Sequence, residues 1–174
     1  LQYCFFIEGG ALAVENALKA AFDWKTRRNW QKDIDTEGGI AIHFKQCFHG
    51  RSGYTLSLTN TSDPRKYQYF PMFDWPRIVN PKIHYPLTEE NQELTYRTEQ
   101  MALLQIQEAI IANPDEVACV IIEPIQAEGG DNHFRDEFFV KLRKICDEND
   151  VLLIFDEVQT GIAMTGTMWA FQQI

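Results

Sequence analysis

Four short stretches of this sequence carry residues that could do chemistry. Asp156 and Glu157 close the apolar run Val151–Phe155, which puts two carboxylates at the end of an apolar segment of strand length. Such a pair could hold magnesium, as the acidic strand of an ATPase does. It could instead set one acid against a cationic heterocycle, or be a plain solvent-facing strand end. The ATPase reading needs a G-x-x-x-x-G-K-[ST] loop upstream, and the sequence contains none. Glu8-Gly9-Gly10-Ala11 joins an apolar run to a helical pattern; glycines let backbone approach a ligand, and a helix N-terminus offers free N–H groups to a phosphate. A tight turn with no ligand explains the same residues. Cys47-Phe48-His49-Gly50-Arg51 sets an aromatic ring and a guanidinium side by side, suited to a flat ligand and a carboxylate; a core phenylalanine and a surface arginine are the alternative. Glu123-Pro124-Ile125-Gln126-Ala127-Glu128 adds two acids, which a turn with one backbone-bonded carboxylate also accounts for.

The elements that must position these residues alternate. Tyr3–Ile7 reads as a short strand running into the Gly9-Gly10 turn. Ala11 to about Trp30 reads as a helix, with Val14, Leu18, Ala21 and Trp24 near helical period. Asp33–Gly39 is a polar loop, and Ile40–Lys45 a second strand. From Phe48 to about Pro86 the pattern is irregular, with five of the seven prolines and many aromatics. A loop of that length is expected to cover a face or an interface. Thr88 is placed to cap a helix that runs to about Ala112. Val117–Ile122 is a strand, Asp136 to Asn149 a helix, and Val151–Phe155 the last strand; Trp169–Ile174 resembles the start of a further helix. Short apolar strands alternating with helices predict an α/β protein with a mostly parallel sheet covered on both faces. In such sheets ligands sit beyond the carboxyl ends of the strands, which is where all four stretches fall.

Composition narrows the function classes. The 174 residues carry sixteen Lys and Arg against twenty-five Asp and Glu, a net charge of −9. That argues against a nucleic-acid partner and against anionic membranes. No apolar run approaches membrane-spanning length. Cys4, Cys47, Cys119 and Cys146 show no zinc-type spacing and are expected to be free, buried thiols in a reducing, cytoplasmic setting; no metal site is expected. There is no Gly-x-Ser-x-Gly elbow and no spacing that supports a Cys–His nucleophile. The sequence begins with Leu1 and ends at Ile174 without a stop signal, which reads as a piece of a longer chain.

Taken in order, Gly9-Gly10-Ala11-x-x-x-Glu15-x-Ala17-x-Lys19, Phe48-His49-Gly50-Arg51-Ser52, Glu123-Pro124-Ile125-Gln126-x-Glu128-Gly129-Gly130 and Phe155-Asp156-Glu157-Val158-Gln159-Thr160-Gly161 resemble the class III aminotransferases. The likeness covers essentially the whole sequence. Within the class it is most similar to members acting on the ε-amino group of L-lysine. Residues 8–25, Arg51–Asn60 and Phe73–Ile78 carry that finer likeness, and Glu8-Gly9 stands where many members have Asn-Ser.

The resemblance implies pyridoxal 5′-phosphate (PLP) on a fold-type-I scaffold, a three-layer α/β/α large domain that is here incomplete. It implies that residues 1–174 are a fragment of that domain, without the N-terminal segment, the Schiff-base lysine region and the C-terminal small domain. By the same resemblance Gly10 and Ala11 hold the cofactor phosphate, Phe48 and Val158 flank its ring, and His49 belongs to the cofactor contacts. Asp156 pairs with the pyridine nitrogen and Gln159 lies near the ring hydroxyl. Arg51 binds the substrate carboxylate, while Glu128 pairs with an arginine from the C-terminal part and yields to 2-oxoglutarate; Glu123 supports the site. The implied reaction moves the ε-amino group of L-lysine to 2-oxoglutarate in a homodimer, giving the 6-semialdehyde and glutamate. Alternatives are another class III ω-aminotransferase (ornithine or 4-aminobutyrate), a P-loop-like ATPase, and a non-catalytic binding module. Two departures stand out: Gly161-Ile162-Ala163-Met164-Thr165-Gly166 replaces the usual Gly-Phe-Gly-Arg-Thr-Gly, and no lysine follows Asp156.

Overall fold

The computed structural model describes residues 2–174; Leu1 lies outside them. Four strands make one sheet: β1 (Ile40–Phe44), β2 (Arg77–Ile78), β3 (Val117–Ile122) and β4 (Leu152–Phe155). Their order is β2-β1-β3-β4, and every pairing is parallel. β3 is buried along its whole length, as expected of a central strand covered on both faces.

The helices α1 (Gly10–Trp30), α2 (Gly53–Leu58), α3 (Glu89–Ala112) and α4 (Asp136–Glu148) form the outer layers. Alternation along the strands decides which layer each residue meets. Ala41, Cys119 and Ile121 face α1 through Val14, Leu18 and Ala21, with Leu58 at the end of α2. Ile42, Phe44, Val120 and Ile122 face the other way, against Ala102, Leu103 and Ile106 of α3 and Phe138, Leu142 and Ile145 of α4. This is the three-layer α/β/α arrangement. Thr88 caps α3, its side chain accepting the Asn91 N–H at 3.2 Å.

Three local expectations are corrected. Tyr3–Ile7 forms no strand: it is irregular, with Tyr3 85% and Phe6 91% exposed, because no strand of these residues lies alongside to pair with it. Phe48–Pro86 is not uniformly irregular. It contains α2, a 3-10 turn at Pro64–Lys66 and the two-residue edge strand β2, where Arg77 pairs with His43 and Ile78 with Phe44. Pro76, which has no N–H, confines β2 to an edge and shortens its sequence signal. All four cysteines are free, but only Cys47, Cys119 and Cys146 are buried; Cys4 is exposed because the segment carrying it is.

The connection after β1 starts through α2 on one face, and the connection after β3 runs through α4 on the other. The carboxyl ends of β1 and β3 therefore flank a crevice of the kind that holds ligands in open α/β sheets.

Candidate active site

A cavity of about 370 Å³ opens at that crevice. Gly10, Ala11, Phe48, His49, Gly50, Arg51, Glu123, Glu128, Asp156, Val158 and Gln159 line it. All ten residues that the resemblance assigns to the site are on its wall, brought together from α1 and from the loops after β1, β3 and β4.

The α1 end is shaped for a close-approaching anion. The first bond back into the helix runs from the Ala13 N–H to the Gly9 carbonyl at 3.0 Å, which leaves the Gly10, Ala11 and Leu12 amides without a partner four residues back. A Cβ on Gly10 would lie 2.9 Å from a Val158 methyl, so glycine keeps the wall open. Gly50 takes φ +117°, and a Cβ there would lie 2.7 Å from Ala11 Cβ. The Thr59 hydroxyl fixes that turn: it accepts the His49 N–H at 3.1 Å and donates to the Gly50 carbonyl at 2.7 Å.

The floor is polar and buried. The Asp156 N–H continues the sheet by donating to the Ile122 carbonyl at 2.9 Å, which fixes the carboxylate just past β4. Asp156 Oδ1 accepts the Val158 N–H at 3.1 Å, and Oδ2 lies 2.7 Å from His49 Nδ1. His49 is 2% exposed, and its Nε2 has no hydrogen-bond partner among the described residues. Burial alone would lower the imidazole pKa, but the Cys47 sulfur and the Asp156 carboxylate outweigh it and hold the ring well above its ordinary value. Glu123 Oε2 accepts the Phe48 N–H at 3.0 Å, tying the loop after β1 to the end of β3. Burial pushes the Glu123 carboxyl up to about 7, against the lowering effects of His49 and the Phe48 N–H.

The rim carries the remaining charges. The Arg51 side chain is exposed, and its Nε donates to the Lys66 carbonyl at 3.1 Å. Glu128 forms an ion pair with Lys66, whose Nζ also lies over the Phe48 ring, 5.7 Å from its centroid. The resemblance supplies Glu128 with a cation from outside these residues; the fold supplies one of its own, and no motif in the sequence marks Lys66 for that place. Val158 and Gln159 are exposed at the mouth.

Glu157 points away from the cavity. Its carboxylate accepts from the Thr160 hydroxyl and from the Ala170 and Phe171 amides at 2.7–2.9 Å. The adjacent acids of the sequence thus have separate tasks. That removes the two-acid magnesium site from the ATPase alternative, and no cluster of His, Cys, Asp and Glu able to hold a metal exists among the described residues.

This constellation fits PLP on its own geometry. Free amides at a helix N-terminus suit a phosphate, the apolar Phe48 and Val158 on the wall suit a flat ring, and the buried acid Asp156 suits a protonated ring nitrogen. The comparisons agree. The aminotransferase class-III family model matches residues 2–174. The L-lysine-epsilon aminotransferase of Mycobacterium tuberculosis is 55% identical over 175 residues, covering 100% of this chain and 38% of its own length. The protein of the same name from Streptomyces clavuligerus is 50% identical over 177 residues, with the same two coverages. A solved structure of the lysine aminotransferase from M. tuberculosis in the internal aldimine form superposes with TM-score 0.92 at 56% identity, over 97% of this chain and 38% of that one. The chain thus spans about two fifths of the length of the curated relatives it matches.

Proposed function

The chain belongs to the class III aminotransferases, and from that premise we propose that it is the cofactor-holding part of a lysine ε-aminotransferase. The family uses PLP. The proposed reaction moves the ε-amino group of L-lysine to 2-oxoglutarate, giving the 6-semialdehyde and glutamate. The observation that carries the proposal is the convergence of free α1 amides, Phe48, Val158 and the buried Asp156–His49 pair on one cavity. The 55% identity to a lysine enzyme supports the choice of amine.

In this reading residues 1–174 are a fragment of the large domain, and the lysine that anchors the cofactor lies outside them. The Gly10 and Ala11 amides bind the phosphate. Phe48 and Val158 hold the ring between them and limit water at its faces. When bound, PLP supplies an electron sink for the carbanion formed at the substrate carbon. Asp156 keeps the ring nitrogen protonated, and His49 holds Asp156 in place from behind through Nδ1. Glu123 is a buried acid near neutrality beside this pair, able to hold or release a proton at its carboxyl. Gln159 orients the ring from the mouth. Arg51 turns from the Lys66 carbonyl to the substrate α-carboxylate, which leaves the distal amine at the reacting end, and Glu128 closes the rim. We place the full-length enzyme in the cytoplasm as a homodimer.

The test is direct. The full-length protein is expected to be yellow and to lose that colour with L-lysine, then regain it with 2-oxoglutarate. Bleaching by ornithine or 4-aminobutyrate but not by lysine reassigns the amine within the class. A full-length protein that carries no PLP sinks the reading.

A further inference from the structure

Phe48, His49 and Arg51 stand on one short loop, and the far end of α2 grips that loop from behind. Thr59, the C-terminal cap of α2, is wholly buried. Its hydroxyl is engaged both as acceptor and as donor, taking the His49 N–H at 3.1 Å and donating to the Gly50 carbonyl at 2.7 Å. The hydroxyl sits in a fixed frame. The Thr59 N–H donates to the Thr55 carbonyl at 3.1 Å, and the next residue, Asn60, donates its N–H to the Cys47 carbonyl at 2.8 Å. Gly50 in turn lies hard against the start of α1: a Cβ there would be 2.7 Å from Ala11 Cβ and 3.0 Å from Ala11 Cα. Interiors packed this tightly pass a displacement on rather than absorb it. A shift of the His49–Gly50 peptide therefore moves Phe48 and Arg51 on one side and presses on Ala11 on the other. Thr61, two residues further on, is the contrast: it is also buried, but its hydroxyl has no hydrogen-bond partner among the described residues.

We propose that Thr59 is a positioning residue that couples the cofactor-phosphate end of the cavity to its substrate-carboxylate end through the His49–Gly50 peptide. The proposal rests on the aminotransferase reading above, in which Ala11 meets the phosphate and Arg51 the substrate carboxylate. Thr59 touches neither ligand and acts through the loop. Removing its hydroxyl leaves a buried N–H and a buried carbonyl without their partner, which drives the peptide to turn in search of another. Both ends of the cavity then loosen together, whereas the loss of a contact to one ligand loosens one end only. Glu123, which accepts the Phe48 N–H at 3.0 Å, still holds the loop on its β3 side. The effect therefore falls on binding more than on turnover at saturation.

The experiment uses the full-length protein with Thr59→Val, which keeps the shape and removes the hydroxyl, and Thr59→Ser, which keeps the hydroxyl. Thr61→Val is the control, since it removes a buried hydroxyl that has no partner. In Thr59→Val the dissociation constant for PLP, read by titrating the cofactor-free protein, is expected to rise about tenfold. At saturating PLP the KM for L-lysine is expected to rise about fivefold, with kcat within about twofold of wild type. The visible circular dichroism of the bound cofactor is expected to weaken in the same variant. Thr59→Ser restores all three readings, and Thr61→Val changes none of them. Unchanged PLP affinity and unchanged KM in Thr59→Val overturn the proposal. So does a loss confined to one of the two ligands, or an equal loss in Thr61→Val. If Thr59→Val does not fold, Thr59→Ala carries the same comparison. A wild-type full-length protein that binds no PLP fails the aminotransferase reading instead, so the two failures are separable.

Discussion

At the scale of single residues, two buried acids at the same end of the sheet have different surroundings. Asp156 is held in place by the Val158 amide and the His49 ring. On the proposed reading, replacing it with alanine removes the acid partner of the ring nitrogen, and turnover of the full-length protein is expected to fall by about 10²-fold or more. Near-normal steady-state rates refute that role. Glu123 accepts one hydrogen bond, from the Phe48 N–H, and burial raises its carboxyl to about 7. The fold therefore favours its protonated form. An unfolded chain ionises this group near 4.5, so between there and about 7 the native state holds the extra proton. Stability is expected to fall with rising pH across that window, by on the order of 2–3 kcal/mol, and to level off above it. Thermal midpoints of the cofactor-free full-length protein at pH 5 and pH 8 read this, and Glu123→Gln should flatten the decline; the same slope in both proteins rules it out. The motif residues stood out in the sequence through their order and their likeness to a known family, and the fold brings them to one cavity. The tasks of Glu157 and Lys66 were not, since both depend on partners that chain folding brings in: the Ala170 and Phe171 amides for Glu157, and Glu128 for Lys66.

At the scale of elements, the helices α1, α3 and α4 and the three longer strands were readable from periodicity and from one cap. Thr88 before Glu89-Glu90 locates the start of α3, and the wholly apolar Val117–Ile122 is β3 to the residue. Two elements, α2 and β2, were hidden inside the stretch that reads as irregular. β2 is too short to show alternation, and it is held as a strand by its neighbour: the His43 N–H donates to the Pro76 carbonyl, and the Arg77 Nε donates to His43 Nε2 at 3.0 Å. That histidine is buried and depressed to about 3, so it accepts this bond as a neutral ring. Tyr3–Ile7 has the right composition for a strand and nothing beside it to pair with. The loop after Asp156 shows strain where the sequence departs from its family. Ile162 and Ala163 take φ +57° and +65°, and Ala163 stands where the usual pattern has glycine. Left-handed backbone costs an alanine about 1–2 kcal/mol, partly offset in the unfolded chain. Ala163→Gly is therefore expected to stabilise the protein by about 0.5–1 kcal/mol, read as a rise in melting temperature; a fall contradicts the strained geometry.

At the scale of the whole molecule, much apolar and edge surface faces outward. Tyr3, Phe5 and Phe6 are 74–91% exposed, Met164 and Ile162 are near three quarters exposed, and β4 has a partner on one side only. Exposed edges and contiguous apolar patches pair with other chains. The isolated 174-residue chain is expected to elute from size exclusion as large species and to bind PLP poorly. A stable 20 kDa monomer that takes up the cofactor contradicts this.

One further feature bears on how fast such a site can fill. Gln126 is wholly buried, and its amide accepts from Asn80 and Asn132 at 2.8 and 2.9 Å while donating to the Lys45 carbonyl at 3.1 Å. Asn80 also donates to Gln46 at 2.8 Å. These amides lock the loop between Glu123 and Glu128 to the loop after β1 through protein contacts alone. The wall need not be assembled on encounter, so ligand capture should follow a single exponential whose rate climbs linearly with ligand concentration. Loosening the lock with Gln126→Ala would introduce a rate-limiting ordering step, seen as a plateau in that plot.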